Sequence, residues 1–173
     1  EIVLRKLGMP IGEKPEMQPW RDFLSQKKHA KSTIKLVLVG KYVELPDAYK
    51  SINESLLQAA TYNEHKLYLH FILSDKLTEE NIEKTLSSRD GILIAPGFGQ
   101  RGMEGKIHAL KYAREHDVPT FGVCLGMQCM VVGFARNVLG LEEANSTEMN
   151  NHTPVRVIDL MEEQKNITNM GGT

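Results

Sequence analysis

Cysteine is scarce in this chain of 173 residues: there are two, Cys124 and Cys129. Two thiols five residues apart are no disulfide framework. On one helix they would be separated by about 7.5 Å along the axis, too far for a bridge. The expectation is therefore a reducing, cytoplasmic compartment, in which Asn145-Ser146-Thr147 is a chance match to a glycosylation signal. Net charge is also lacking. Lys and Arg number 21 against 22 Asp and Glu, a balance of −1, which excludes a nucleic-acid or membrane surface working by bulk electrostatics. The longest apolar stretch, Phe121 to Ala135, falls short of the ~18 residues a bilayer span needs and is interrupted by Gln128. The opening, Glu1 to Pro10, has no basic-then-apolar leader pattern. No His, Cys, Asp and Glu cluster has zinc-ligand spacing, so no metal site is assigned.

What is present suits one globular domain. Hydrophobic residues make up 41% of the chain, enough for a sizeable core. Residues 1–32 are dense in turn formers and show no lasting period, and they read as a linker from a preceding domain with one short helix, Trp20 to Lys28. From residue 33 a strand–helix alternation sets in. Ile34 to Val39, Lys66 to Leu73, Gly91 to Ala95 and Pro119 to Val123 are short β-branched or apolar runs that predict buried strands. Between them, Asp47 is expected to cap a helix with Ala48, Ile52, Leu56 and Ala59 on one face. Thr78 caps a second, running to about Leu86, and Met103, Ile107 and Leu110 mark a third. A nearly all-apolar helix from Leu125 to Val138 is expected to be buried all round. This pattern implies the α/β class, a doubly wound and mostly parallel sheet with ligands beyond the carboxyl ends of its strands. After Gly140 the pattern fades to one further strand within Pro154 to Leu160. The chain then stops in a polar, Gly-rich stretch, so the expectation is that the carboxyl-terminal part of the domain is missing.

Chemistry concentrates at Gly122-Val123-Cys124-Leu125-Gly126-Met127-Gln128. A strand enters Gly122 and a helix leaves after Cys124, the layout of a nucleophile elbow. The helix N-terminus favours thiolate over thiol, and the Leu125 N–H is free to hold an oxyanion. The plainer alternative makes Cys124 a small core residue. Cys129, inside the helix, reads as core. A second glycine cluster, Ala95-Pro96-Gly97-Phe98-Gly99-Gln100-Arg101-Gly102, lies at the same sheet edge. It is no Walker phosphate loop, since no Gly-Lys-Ser/Thr follows. Two glycine-rich corners beside one cysteine suggest acyl transfer through a thioester. Such transfer needs a histidine base, and none of His29, His65, His70, His108, His116 and His152 has a suitable context. His152, in a late loop, is the one that can approach.

The Cys124 segment resembles the nucleophile motif of the class I (triad) glutamine amidotransferases. Four further stretches resemble the amidotransferase domain of the CTP synthase family. They are Gly40 to Glu54, the loop Phe98 to Gly102 with Glu104-Gly105-Lys106, and the pair Ala144-Asn145-Ser146-Thr147-Glu148 and Met170-Gly171-Gly172-Thr173. By matching position, the resemblance implies that Cys124 is the nucleophile. The N–H groups of Gly97 and Leu125 form the oxyanion hole. Gly126, Met127, Gln128 and Glu148 contact L-glutamine, with Glu148 suited to its α-ammonium. It implies no cofactor in this chain. A synthetase domain of the same polypeptide would use ATP and Mg²⁺ to aminate UTP to CTP, GTP would activate glutamine hydrolysis, and the full-length enzyme would be a homotetramer. There are two departures. Pro96 stands where the family has glycine and removes one N–H. The family's His-Pro-Glu segment and an arginine that helps hold the glutamine carboxylate lie beyond Thr173, so the fragment alone is expected to be inactive. The alternatives are a truncated regulatory or scaffolding domain, and a cysteine hydrolase or chaperone of similar fold.

Overall fold

The computed structural model describes residues 1–12, 14–45 and 47–162. Two helices, α1 (Ile2–Lys6) and α2 (Gln18–Lys28), precede the sheet, and neither buries a residue. Then come β1 (Ser32–Gly40), α3 (Lys50–Tyr62), β2 (His65–Leu73), a 3₁₀ turn (Ser74–Lys76), α4 (Ile82–Leu86) and β3 (Gly91–Ile94). These are followed by α5 (Met103–Glu115), β4 (Thr120–Gly122), α6 (Leu125–Asn137), β5 (Ala144–Ser146) and β6 (Val155–Ile158). Four strands form one parallel sheet in the order β2-β1-β3-β4. All four expected strands are there. Their expected outer residues are lost from β3 and β4 but keep ladder bonds: Ala95 N–H donates to Val39 O, and Val123 N–H to Ile94 O.

Strand alternation sorts the core into two layers. Val37, Val39, Ile92 and Ile94 pack with Ile107, Leu110, Leu125, Cys129 and Val132 on the α5–α6 side. Leu38, Leu93 and Ala95 pack with Tyr49, Ile52 and Leu56 on the α3 side. Helices thus cover both faces, as a doubly wound sheet requires. The chain leaves β1 toward β2 on one side and reaches β3 on the other, which makes the carboxyl ends of β1 and β3 the topological switch point.

Four expectations need correction. Asp47 is not a helix cap. Residues 47–49 make a turn, with Ala48 N–H donating to Leu45 O, and α3 starts at Lys50 after Tyr49. Its inward stripe is buried Tyr49 and Ala60 with partly buried Ile52 and Leu56, whereas Ala48 and Ala59 are exposed. The Tyr49 hydroxyl decides this. It accepts the N–H groups of Lys41 and Tyr42 at the end of β1, and it lies where a Cβ on Gly40 would come within 2.6 Å. Thr78 is not a cap either. The Asn81 side chain accepts the Thr78 N–H and donates to Lys76 O, holding residues 78–81 as a turn and delaying α4 to Ile82.

The third correction concerns α6, which is buried on one side only. Leu125, Cys129 and Val132 pack into the core beside the sheet and Ala135 is also buried, while Met127, Val131 and Phe134 are exposed. An apolar composition measures how much a helix can bury, not how many neighbours reach it. Finally, β5 was not expected. Its three residues pair in parallel with β6 in a separate two-stranded sheet, and so short a run shows no period. Residues 166–173, including the Met170 to Thr173 stretch, lie outside the described residues.

Candidate active site

The turn between β4 and α6 is built by two close approaches. A Cβ on Gly122 would lie 2.6 Å from the Gly126 carbonyl carbon, and one on Gly126 would lie 2.1 Å from Ile94 O. Both positions therefore need glycine, and the result is a tight strand-to-helix corner seated on β3. At its tip Cys124 has φ 53° and ψ −112°, a left-handed backbone that a side chain adopts only when its surroundings enforce it. The strain is of the kind that functional sites store. Cys124 occupies the N-cap position of α6, its carbonyl accepts the Gln128 N–H at 3.1 Å, and its thiol is exposed. Cys129, one turn on, is fully buried, and burial pushes its thiol up to about 11.

The glycine cluster lies beside this corner. Gly97 is buried, and a Cβ there would touch the Lys41 side chain at 3.4 Å and Leu125 Cδ2 at 3.6 Å. Gly97 is thus packed against the first residue of α6. Neither the Gly97 nor the Leu125 N–H has an acceptor among the described residues, which leaves both donors for a ligand. The loop is anchored on its outer side by Arg101, which pairs with Asp75, donates to Lys41 O at 3.2 Å and lies over the Tyr42 ring at 5.8 Å.

Next to the corner is a polar relay. The Ser146 hydroxyl donates to Gln128 Oε1 at 2.6 Å, and Gln128 Nε2 donates to Glu148 Oε2 at 2.6 Å. Ser146 is wholly buried and also receives the Glu148 N–H at 3.3 Å. The relay fixes the Gln128 amide with its nitrogen toward the exposed Glu148 carboxylate. The structure thus brings together Cys124, Leu125, Gly97, Gln128 and Glu148. Gly126 is consumed by packing against Ile94, and Met127 points to the surface, about half exposed.

Sequence reasoning missed three residues here. Ser146 stood within a quoted motif without a role. Lys41 and Lys106 are charged yet buried. Lys106 carried a signal in its spacing, since Met103, Lys106, Ile107 and Leu110 share one face of α5.

All six histidines fall within the described residues, and the rings of five of them bond elsewhere. His29 contacts Ser25 O, His65 contacts Asn63 O, and His70 contacts Arg89. His108 pairs with Glu79, while His116 pairs with Glu83 and stacks on Tyr112. His152 is exposed; its backbone N–H donates to Asn150 Oδ1 at 3.1 Å, and its ring has no hydrogen bond among the described residues. No group of three or more His, Cys, Asp and Glu gathers as metal ligands among the described residues.

Comparison with known proteins agrees with this arrangement. The family described as Glutamine amidotransferase class-I matches residues 44–172. CTP synthase from Porphyromonas gingivalis strain W83 is 60% identical over 173 residues, which is 100% of this chain and 32% of that protein. CTP synthase from Bacteroides fragilis strain YCH46 is 57% identical over the same span and shares. The chain therefore spans about a third of the length of the curated relatives it matches. A solved structure, the glutaminase domain of Trypanosoma brucei CTPS with bound acivicin, superposes with a TM-score of 0.73 at 34% identity. It covers 78% of this chain and 52% of that one. With an exposed cysteine strained at the corner before α6, two free N–H donors beside it and a family match over residues 44–172, the chain belongs to the class I glutamine amidotransferase family.

Proposed function

We propose that this chain is the part of a longer enzyme that carries the nucleophile for glutamine hydrolysis, through a Cys124 thioester, and that the ammonia serves the ATP-dependent amination of UTP to CTP. The observation that carries the reading is the exposed Cys124 thiol at the N-terminus of α6, with the unpaired Gly97 and Leu125 N–H groups alongside. The name CTP synthase on relatives near 60% identity supports the nucleotide part.

The Cys124 sulfur attacks the γ-carboxamide carbon of glutamine. The carbonyl oxygen becomes an oxyanion held by the Gly97 and Leu125 N–H groups, each such donor being worth about 10²–10³ in rate. Collapse of the intermediate expels ammonia, which takes a proton from a general acid, and leaves a γ-glutamyl thioester. Water then attacks the thioester and releases glutamate and the thiol. Glu148 accepts the substrate α-ammonium in a charge-assisted bond, and Gln128, oriented by Ser146, lines the same subsite. The proton shuttle is assigned to a histidine of the family's His-Pro-Glu segment, outside this sequence. ATP and Mg²⁺ act in a synthetase domain of the same polypeptide, and GTP activates the glutamine half-reaction. The synthetase domain would also carry most of a homotetrameric assembly.

The test uses the full-length protein and measures ammonia release and CTP formation, with glutamine or ammonium chloride as nitrogen source. Cys124→Ala should abolish both glutamine-dependent activities and spare CTP formation from ammonium chloride. Loss of both nitrogen sources would point to a scaffolding role for this domain, and survival of glutamine use would remove Cys124 as nucleophile.

A further inference from the structure

Two lysines that a glutaminase reaction does not require are buried under the glycine loop. Lys106, on α5, is wholly buried, and its ammonium donates to Ala95 O at 2.7 Å. That is its one hydrogen bond among the described residues. Lys41, immediately after β1, is 4% exposed, and its ammonium donates to Phe98 O and, at 2.7 Å, to Gly99 O. Gly97 lies between these anchors, against the Lys41 stem. Burying an ammonium is costly unless its donors are used. Among the described residues, neither lysine has a carboxylate within salt-bridge distance. Desolvation lowers both, Lys106 from 10.5 to about 8. The charged and thiol groups acting on the pair are Arg101, Asp75, Glu148, Cys124 and Cys129. A hydrophobic side chain would suit such a position better if packing were its only task.

We propose that Lys106 and Lys41 are positioning residues that clamp the residue 95–99 loop from below, at Ala95 and at Phe98–Gly99, so that the Gly97 N–H is held toward the oxyanion. Among the described residues the three carbonyls accept no other hydrogen bond, and a backbone loop with φ 65° at Gly99 and no ladder bond beyond Ala95 would otherwise sample many conformations. The part of the inference that concerns catalysis rests on the glutaminase reading, and the clamp itself does not.

The experiment therefore has two readouts. In the first, ¹⁵N order parameters of Gly97 and Gly99 are measured in this chain. They should sit near the rigid-backbone value of ~0.85 and fall below ~0.6 in Lys106→Met and Lys41→Met, with β1 and β2 unchanged. Lys41→Arg, which keeps a cationic donor, should restore rigidity. In the second, ammonia release from glutamine by the full-length protein should lose about 10²–10³ in kcat in either Met variant, with KM changed by no more than about threefold, since the Gln128–Glu148 grip is untouched. Unchanged order parameters in the Met variants overturn the clamp. A loosened loop with unchanged kcat, or a loss confined to KM, overturns the link to the oxyanion. If Lys106→Met fails to fold, Lys41→Met and its Arg rescue decide alone. If the unmodified protein releases no ammonia, the glutaminase reading fails and the order parameters still decide the clamp.

Discussion

Cys124 and Cys129 are five residues apart and differ in what governs thiol chemistry. Cys124 is exposed at a helix N-terminus, whereas Cys129 is fully buried and its thiol is pushed up to about 11 by desolvation. The glutamine analogue 6-diazo-5-oxo-norleucine should alkylate Cys124 in the full-length protein and spare Cys129. Peptide mapping by mass spectrometry reads the result, and label mainly on Cys129 would reverse the assignment. Lys106 makes a second prediction at this scale. Its ammonium is disfavoured by burial, so the unfolded chain holds that proton more tightly than the folded one. The penalty is complete below pH 8 and is relieved as pH rises from about 8 to 10.5, so this contribution to stability increases with pH. Its full size is on the order of 3 kcal/mol. Cys129 slopes the other way at higher pH, because its folded thiol is raised. The measurement is therefore the difference in urea-unfolding free energy between wild type and Lys106→Met from pH 7 to 10. Lys106→Met should lose its relative advantage as pH rises, and a flat difference would contradict the assigned burial.

At the scale of an element, α6 contains two glycines that behave oppositely. A Cβ on Gly126 would meet a backbone carbonyl, Ile94 O, at 2.1 Å, and that oxygen already accepts the Val123 N–H. Gly126→Ala must lift the first turn of the helix off β3, which typically costs about 1–3 kcal/mol. It should also displace the Leu125 N–H and reduce glutaminase kcat. A Cβ on Gly133 would touch Ile107 at 3.6 and 3.9 Å, ordinary contacts. Gly133→Ala should therefore stabilise the helix by about 0.5–1 kcal/mol through reduced backbone entropy in the unfolded chain. Thermal unfolding of the two variants checks both signs at once. The outer face of the same helix keeps Met127, Val131 and Phe134 exposed, on the side that the sheet does not reach.

For the whole molecule, topology does the assembling. Parallel strands point their carboxyl ends one way, so β1, β3 and β4 deliver Lys41, the 95–99 loop and Cys124 to one edge. Five of the six histidines bond elsewhere through their rings, after α2, around β2 and along α5, and the sixth, His152, lies exposed in the loop before β6. The chain of 173 residues by itself should therefore release ammonia from glutamine about 10²–10⁴-fold more slowly than the full-length protein, for want of a positioned base. An ammonia assay on both decides it. Equal rates would place the base within this chain, with His152 the first to mutate.

The sequence by itself determined the order and type of the main elements, because strands in a parallel sheet need continuous β-branched runs and their helices need a period of 3.6. It also determined the corner at Cys124, because glycines on both sides of a cysteine leave few other conformations for a strand–helix junction. Only the tertiary structure decided where α3 begins, since that depends on a tyrosine hydroxyl meeting two N–H groups eight and seven residues away. It alone decided that α6 is covered on one side, that Ser146 orients Gln128 across 18 residues, and that two lysines lie beneath the glycine loop. Hydrophobic periodicity is a local signal, and a polar contact between distant segments exists only once the sheet has brought their ends together.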